Sequence, residues 1–403
     1  MTSSVGNETC YMSNEQVKFY GIYAWWLAGI GSLSISTMGI ILNTITICIL
    51  CGKSMRSSFF NRLLVCLAIV DSLFLATAVS DAIGMQLVNS SSSQYLYIIV
   101  HLLYPARGML ICSSIYMTVG LACERYNSIS KPHIHRNVQN TDGTCHRLLL
   151  YIAPVILLSV IYSIPSFFDL EVTKIFSSCG GMKIANETLE TKCVLELHII
   201  TPTKIRNNQD YILWYINISN FAVTVAIPFI LLTYFNYKIY KGLQYRRMKR
   251  ASINPNAISR NNRTINRRQV EKNNRRKEAR QTFILFAIVA LFVMCHSLRV
   301  VLNIDEFINL ETYFEKQKQG CAGIRFWTIL ASPISTLLLQ INSGSPFFIY
   351  CFYDNAFKEA LKSKLTNTSV YVQNTSRAIP TTSHWPQSNM EIIPENVELD
   401  ELH

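Results

Sequence analysis

The sequence predicts an all-α membrane protein, a seven-transmembrane helix bundle. Three observations lead there. Half of the 403 residues are hydrophobic, mean hydropathy is +0.21, and charged residues make up 15%, against roughly 25% in a soluble domain. Seven apolar stretches reach the ~20 residues that a helix needs to cross ~30 Å of hydrocarbon. Lys and Arg gather in alternate connections, as they do when one face of a bundle meets the cytoplasm.

The predicted spans run near Tyr23–Leu50, Leu63–Met85, Tyr95–Tyr126, Leu148–Phe168, Ile212–Tyr237, Thr282–Ile304 and Ile324–Phe352. The first, fourth and fifth hold no Asp, Glu, Lys or Arg. Backbone groups in lipid must be satisfied within the segment, so these are helices rather than open strands. The domains follow: an extracellular N-terminus at 1–22, a membrane core at 23–352, and a cytoplasmic segment at 353–403. Within the core, 169–210 reads as a long outer loop and 238–281 as a basic inner loop.

Segment 238–281 carries fifteen basic residues and two acidic ones, Glu271 and Glu278, and is therefore cytoplasmic. Lys53, Arg56, Arg62, Lys131, Arg136 and Arg147 agree. The N-terminus is then outside and the C-terminus inside, in the plasma membrane. The net charge of +12 is concentrated on these inner connections. It points to topology and to anionic membrane lipid rather than to nucleic acid. The first apolar run is too long for a cleaved signal peptide and stays as a span.

Sequons at Asn7, Asn89 and Asn186 fall on outer segments and are candidate glycosylation sites. Those at Asn217, Asn262, Asn367 and Asn374 fall in a span or inside. Of twelve cysteines, Cys10, Cys179, Cys193 and Cys321 lie outside, where disulfides form. Three connectivities are open, among them Cys179–Cys193 with Cys10–Cys321. No nucleophile motif, phosphate loop or zinc spacing appears, so the chain is not read as an enzyme. No inverted repeat is visible and the span count is odd, which weakens a transporter reading.

Charged residues inside spans are expensive and mark function. Asp71 sits mid-span in the second stretch, with Asp81 further out. Glu124-Arg125-Tyr126 ends the third. Arg107 precedes Arg125 by five helical turns, about 27 Å, and Ser114 lies on the same face. The third helix thus carries a polar stripe from end to end and belongs at the centre of the bundle.

These residues resemble the rhodopsin-like (class A) G-protein-coupled receptors, and within them the invertebrate FMRFamide-receptor-like neuropeptide receptors. The resemblance spans roughly residues 25–362. It rests on Asn43, on Leu67-Ala68-Ile69-Val70-Asp71, and on Glu124-Arg125-Tyr126. It rests also on Tyr104-Pro105, Pro165-Ser166-Phe167-Phe168, Cys295-His296 with Arg299, and Asn342-Ser343 leading to Tyr350. It implies a short amphipathic eighth helix around Phe357. It places a packing switch at Pro228, Ile115 and Phe292, with His296 and Tyr350 in the activation path. It places an allosteric sodium ion at Asp71, Ser114, Asn342 and Ser343, a group that equally suits a hydrogen-bonded water. Arg125 can pair with Glu124 or with Glu278 and bias a two-state equilibrium.

There are departures from the family pattern. Val100 stands where most relatives have a disulfide-forming cysteine, His296 replaces a tryptophan, Leu298 a proline, and Asn236 a tyrosine. The usual Asn-Pro reads Pro346-Phe347. Arg107, in the place of an aspartate, excludes a monoamine, and the seventh span has no lysine for retinal.

The resemblance implies an extracellular peptide ligand, short and amidated, with a heterotrimeric G protein as inner partner and outward movement of the sixth helix as the signal. Candidate ligand contacts are Asp81, Tyr104, Arg107, Arg299, Asn303, Glu306 and Phe307. Asp81 either meets a ligand guanidinium or pairs with Arg107. Ser363, Thr366, Thr368, Ser369, Thr375, Ser376, Thr381, Thr382 and Ser383 suit receptor kinases, then arrestin, on an otherwise disordered tail. The alternatives are a divergent seven-span receptor with a non-peptide ligand or no G-protein coupling, and a channel or transporter subunit.

Overall fold

The computed structural model describes residues 12–52, 55–56, 58–87, 93–130, 144–178, 194–251, 262–319 and 325–377. The sequons at Asn7, Asn89 and Asn186 and the cysteines Cys10, Cys179, Cys193 and Cys321 lie outside these residues. Six described helices are long and apolar enough to cross a membrane. They include α1 (Asn14–Leu50), α2 (Phe59–Gly84), α3 (Gln94–Ser130), α4 (His146–Phe168) and α5 (Gln209–Tyr245). The sixth lies in α6, which runs unbroken over Asn262–Ile308. A short α7 (Leu310–Lys318) follows. The last predicted span is two helices, α8 (Phe326–Gly344) and α9 (Pro346–Tyr353), before α10 (Asn355–Arg377).

Local sequence sets several boundaries away from the expected ones. α1 starts at Asn14 rather than Tyr23, because Ser13 and Gln16 form a reciprocal capping box, which satisfies two otherwise orphaned donors. Asn208 caps α5, accepting from the Asp210 and Tyr211 amides. Both ends of the basic segment 238–281 are helical: the fifth helix continues to Ala251, and the sixth begins at Asn262. α8 stops at Gly344, and Pro346 opens α9 because a proline at the first helical position has no amide to leave unpaired. α10 continues to Arg377, past the point where the sequence reads as a disordered tail.

The long loop 169–210 holds the two strands found among the described residues. Strands β1 (Leu170–Ser178) and β2 (Val194–Pro202) pair antiparallel, with Leu170 opposite Pro202 and Ser178 opposite Val194. Both strands are rich in the β-branched and aromatic residues that suit a pleated surface.

The residues up to Lys358 form one compact unit and those from Glu359 a second. In the first unit the apolar surface faces outward as well as inward. Leu149, Leu150, Leu157 and Leu158 of α4 are each 60–61% exposed, an apolar patch of the kind found where a surface meets membrane or a partner. The interior instead carries polar groups. Asn43 is buried and donates to the Ser343 carbonyl at 3.1 Å, which joins α1 to α8. Close approach makes this possible: a Cβ on Gly344 would lie 3.1 Å from the Gly39 Cα. Gly344→Ala is therefore expected to destabilise by about 1–3 kcal/mol through overpacking. It should lower the thermal midpoint in detergent by several degrees, whereas an unchanged midpoint would show that the contact relaxes freely.

Candidate functional site

α3 is the axis of the site, and its polar stripe meets α2 three times. Near the hairpin end Arg107 pairs with Asp81. At mid-bundle the Ser114 hydroxyl donates to Asp71 at 2.6 Å, and both residues are buried. At the other end the Arg125 guanidinium lies 3.4 Å from the centroid of the Phe60 ring, within cation–π range. The two antiparallel helices thus meet through two polar pairs and one cation–π contact along their length. Of the two sequence readings of Asp81, the structure has the pairing with Arg107.

The hairpin end holds a cavity of about 420 Å³ between α1, α2, α3, α6 and α8. Asp81, Arg107, Arg299, Ser32 and Gln340 give it polar walls; Phe74, Ile111 and Leu339 are among the apolar ones. Such a volume with a few convergent polar groups is typical of a small-ligand site. Of the sequence candidates, Asp81, Arg107 and Arg299 line it. Tyr104 does not; its hydroxyl is 3.2 Å from an Asp169 carboxylate oxygen. Asn303 is half-buried, and Glu306 and Phe307 are exposed; none of these three lines the cavity. Gln340, whose amide donates to Ser32 at 2.7 Å and is almost fully buried, was not foreseen. Its position one turn from Ser343 is the only sequence signal for it.

Below this cavity lies a smaller one of about 10 Å³, lined by Ser114, Ile115, His296, Asn342 and Ser343 among others. That is close to the smallest space that holds one water. Asp71 adjoins it through Ser114 and Ser343. His296 packs against Phe292 with tilted rings, centroids 4.2 Å apart. Pro228, Ile115 and Phe292 are all buried.

At the Arg125 end, Glu124 is 2% exposed, and both its carboxylate oxygens accept from one Arg147 nitrogen at 2.9 Å. Tyr151 donates to the same carboxylate at 2.9 Å. Arg147 also lies over Phe59, 4.4 Å from the ring centroid. Consecutive rings of α2, Phe59 and Phe60, therefore each carry one arginine. The sequence marked Arg147 only as a topological charge; its role emerges because α4 starts beside the end of α3. Tyr126 packs against Phe235 at 5.9 Å. Glu278 sits on α6, but its side chain lies outside the described residues. Two residues on, Arg280 approaches Asp354 at 3.9 Å, and Phe283 meets Tyr353 at 4.6 Å between centroids. Asp354 also accepts from the Ala356 amide at 3.0 Å, and so caps α10. Tyr350 is buried and packs against Phe357 at 5.6 Å.

Residues 42–335 match the family described as 7 transmembrane receptor (rhodopsin family). The chain belongs to that family. As a rhodopsin-family receptor it is a multi-pass membrane protein that signals rather than catalyses. Two relatives narrow the comparison. It is 27% identical over 354 residues to the FMRFamide receptor of Drosophila melanogaster, covering 86% of this chain and 54% of that protein. It is 23% identical over 339 residues to the FMRFamide peptide receptor frpr-18 of Caenorhabditis elegans, covering 83% of this chain and 68% of that protein. The receptor thus spans only about half the length of the fly relative. In this family setting the stripe, the two cavities and the arginine end lie in line along one helix, α3.

Proposed function

We propose that the receptor takes a short amidated peptide of the FMRFamide type from outside the cell and signals to a heterotrimeric G protein. The observation that carries this reading is the 420 Å³ cavity whose walls bring Arg299 beside an ion pair, Arg107–Asp81. Arg299 has no ion-pair partner among the described residues, so a ligand oxygen acceptor supplies one. The Asp81 carboxylate is held by an arginine, and a ligand guanidinium can take that place, since guanidinium and carboxylate pair readily. Both relatives carry FMRFamide in their names, which agrees with such a ligand. Agonist binding favours a state in which α6 moves outward at its Arg125 end, breaking the Arg280–Asp354 and Phe283–Tyr353 contacts. The opened cleft then admits a G-protein helix in the groove mode. Phosphorylation of the tail by receptor kinases recruits arrestin, and the basic residues beyond α5 rest on anionic lipid.

The test is binding of fluorescent FMRFamide to the full chain in lipid nanodiscs. Saturable binding, weakened at least tenfold by Asp81→Asn, is expected. Equal affinity in wild type and Asp81→Asn removes Asp81 from the ligand contacts, and no saturable binding by a panel of amidated peptides contradicts the reading.

The oxygens at mid-bundle fit a small hard cation: Ser114, Ser343 and Asn342 line a space of about one water, and the Asp71 carboxylate adjoins it through Ser114. When bound, sodium would neutralise Asp71, with Ser114, Ser343 and Asn342 as its other holders. Sodium chloride is expected to raise the thermal midpoint of the wild type above that in choline chloride, and Asp71→Asn to abolish the difference. A difference of the same size in the variant would contradict the assignment.

A further inference from the structure

Asp169 is 2% exposed although it stands in the connection after α4, immediately before β1. Its carboxylate accepts from two tyrosines on two different helices. Tyr211 of α5 donates to Oδ1 at 2.6 Å, and Tyr104 of α3 to Oδ2 at 3.2 Å. No basic group forms an ion pair with it among the described residues. A buried carboxylate without a cation must be satisfied by strong donors, and an O–H donor at this shorter distance makes a charge-assisted bond.

The same residue closes the root of the hairpin. Its carbonyl accepts from the Thr203 amide at 3.0 Å, and the Thr203 hydroxyl donates to the Phe168 carbonyl at 2.6 Å. Leu170 and Pro202, the first rung of the hairpin, follow directly. Tyr211 is itself braced: it stacks on Tyr215 at 5.1 Å, and the Tyr215 hydroxyl donates to the Tyr162 carbonyl of α4 at 2.7 Å. The root of the hairpin is therefore joined to two helices, α3 and α5, through one carboxylate.

We propose that Asp169 is a positioning residue that anchors the hairpin to α3 and α5. It does by hydrogen bonds what a disulfide does where the third span carries a cysteine in place of Val100. The anchor also fixes Tyr104, one turn before Arg107, so the hairpin and the cavity wall are coupled through a single turn of α3. Tyr104 then acts through Asp169 rather than on the ligand.

The experiment is hydrogen exchange on the full chain in nanodiscs, read at the amides of residues 170–173 and 199–201. Asp169→Ala and Tyr211→Phe are each expected to raise exchange there at least tenfold, and the double variant is expected to add little to Asp169→Ala. Dithiothreitol is expected to leave the wild type unchanged at these rungs. Tyr211→Phe keeps the ring and its stacking, so it reports the hydroxyl alone if Asp169→Ala fails to reach the membrane. Unchanged exchange in Tyr211→Phe, or a rise in reduced wild type equal to that in the variants, would overturn the proposal. Neither result depends on which peptide the receptor binds.

Discussion

Glu124→Gln is expected to raise ligand-independent signalling several-fold at equal surface expression. The substitution keeps shape and removes charge. Arg147 then loses the carboxylate that holds it at 2.9 Å, in a place where Glu124 is 2% and Arg147 17% exposed. Stranding one partner of a buried ion pair costs about 3–5 kcal/mol, and the figure is smaller here because Arg147 is partly solvated. Even about 1.4 kcal/mol changes a two-state population tenfold. The loss falls on the closed arrangement, since these contacts tie α3, α4 and the Phe59-Phe60 end of α2 together beside Arg125. Arg147→Gln should act in the same direction, and the double variant should lie below the sum of the two. Basal second-messenger levels, normalised to surface receptor, check this. Wild-type basal levels in both single variants would mean that the pair is structural ballast.

The second large effect is at the other end of the stripe. Arg107→Ala is expected to lower stability by up to about 3 kcal/mol, because it leaves Asp81 charged and unpaired in a bundle. Asp81→Ala alone leaves Arg107 in the same position. The two side chains are 27% and 28% exposed, which keeps the loss toward the lower end of the range for buried pairs. The Asp81→Ala/Arg107→Ala double variant should recover much of the loss in thermal midpoint while failing to bind peptide. Additive losses in the double variant would show that the two groups are independent.

The sequence was most informative where periodicity and charge act along one helix. The apolar runs placed the membrane helices, and the spacing of Arg107, Ser114 and Arg125 placed all three on one face of α3, which the structure turns toward α2. It was least informative across helices. Glu124 stands beside Arg125 in the chain, and its carboxylate also meets Arg147 and Tyr151 of α4, which no local pattern identifies. Asp169 and Tyr211 are far apart in sequence and meet only when α3, α4 and α5 come together. The hairpin itself was hidden because its strands pair with each other across a long interval and carry no tight-turn signal. Other features were written locally and passed over. The Ser13–Gln16 capping box lies in plain sequence, and so does the Gly344-Ser345-Pro346 break between α8 and α9.

The central claim is that peptide arriving at the hairpin end is converted into a signal at the Arg125 end. The most direct measurement is a calcium and cAMP screen of cells expressing the chain against a broad library of amidated peptides that includes FMRFamide, alongside cells expressing Arg125→Ala at the same surface level. A saturable response to at least one amidated peptide is expected in the wild type, and its loss in Arg125→Ala. Silence of the wild type across the library in both readouts, or an equal response from Arg125→Ala, would contradict it.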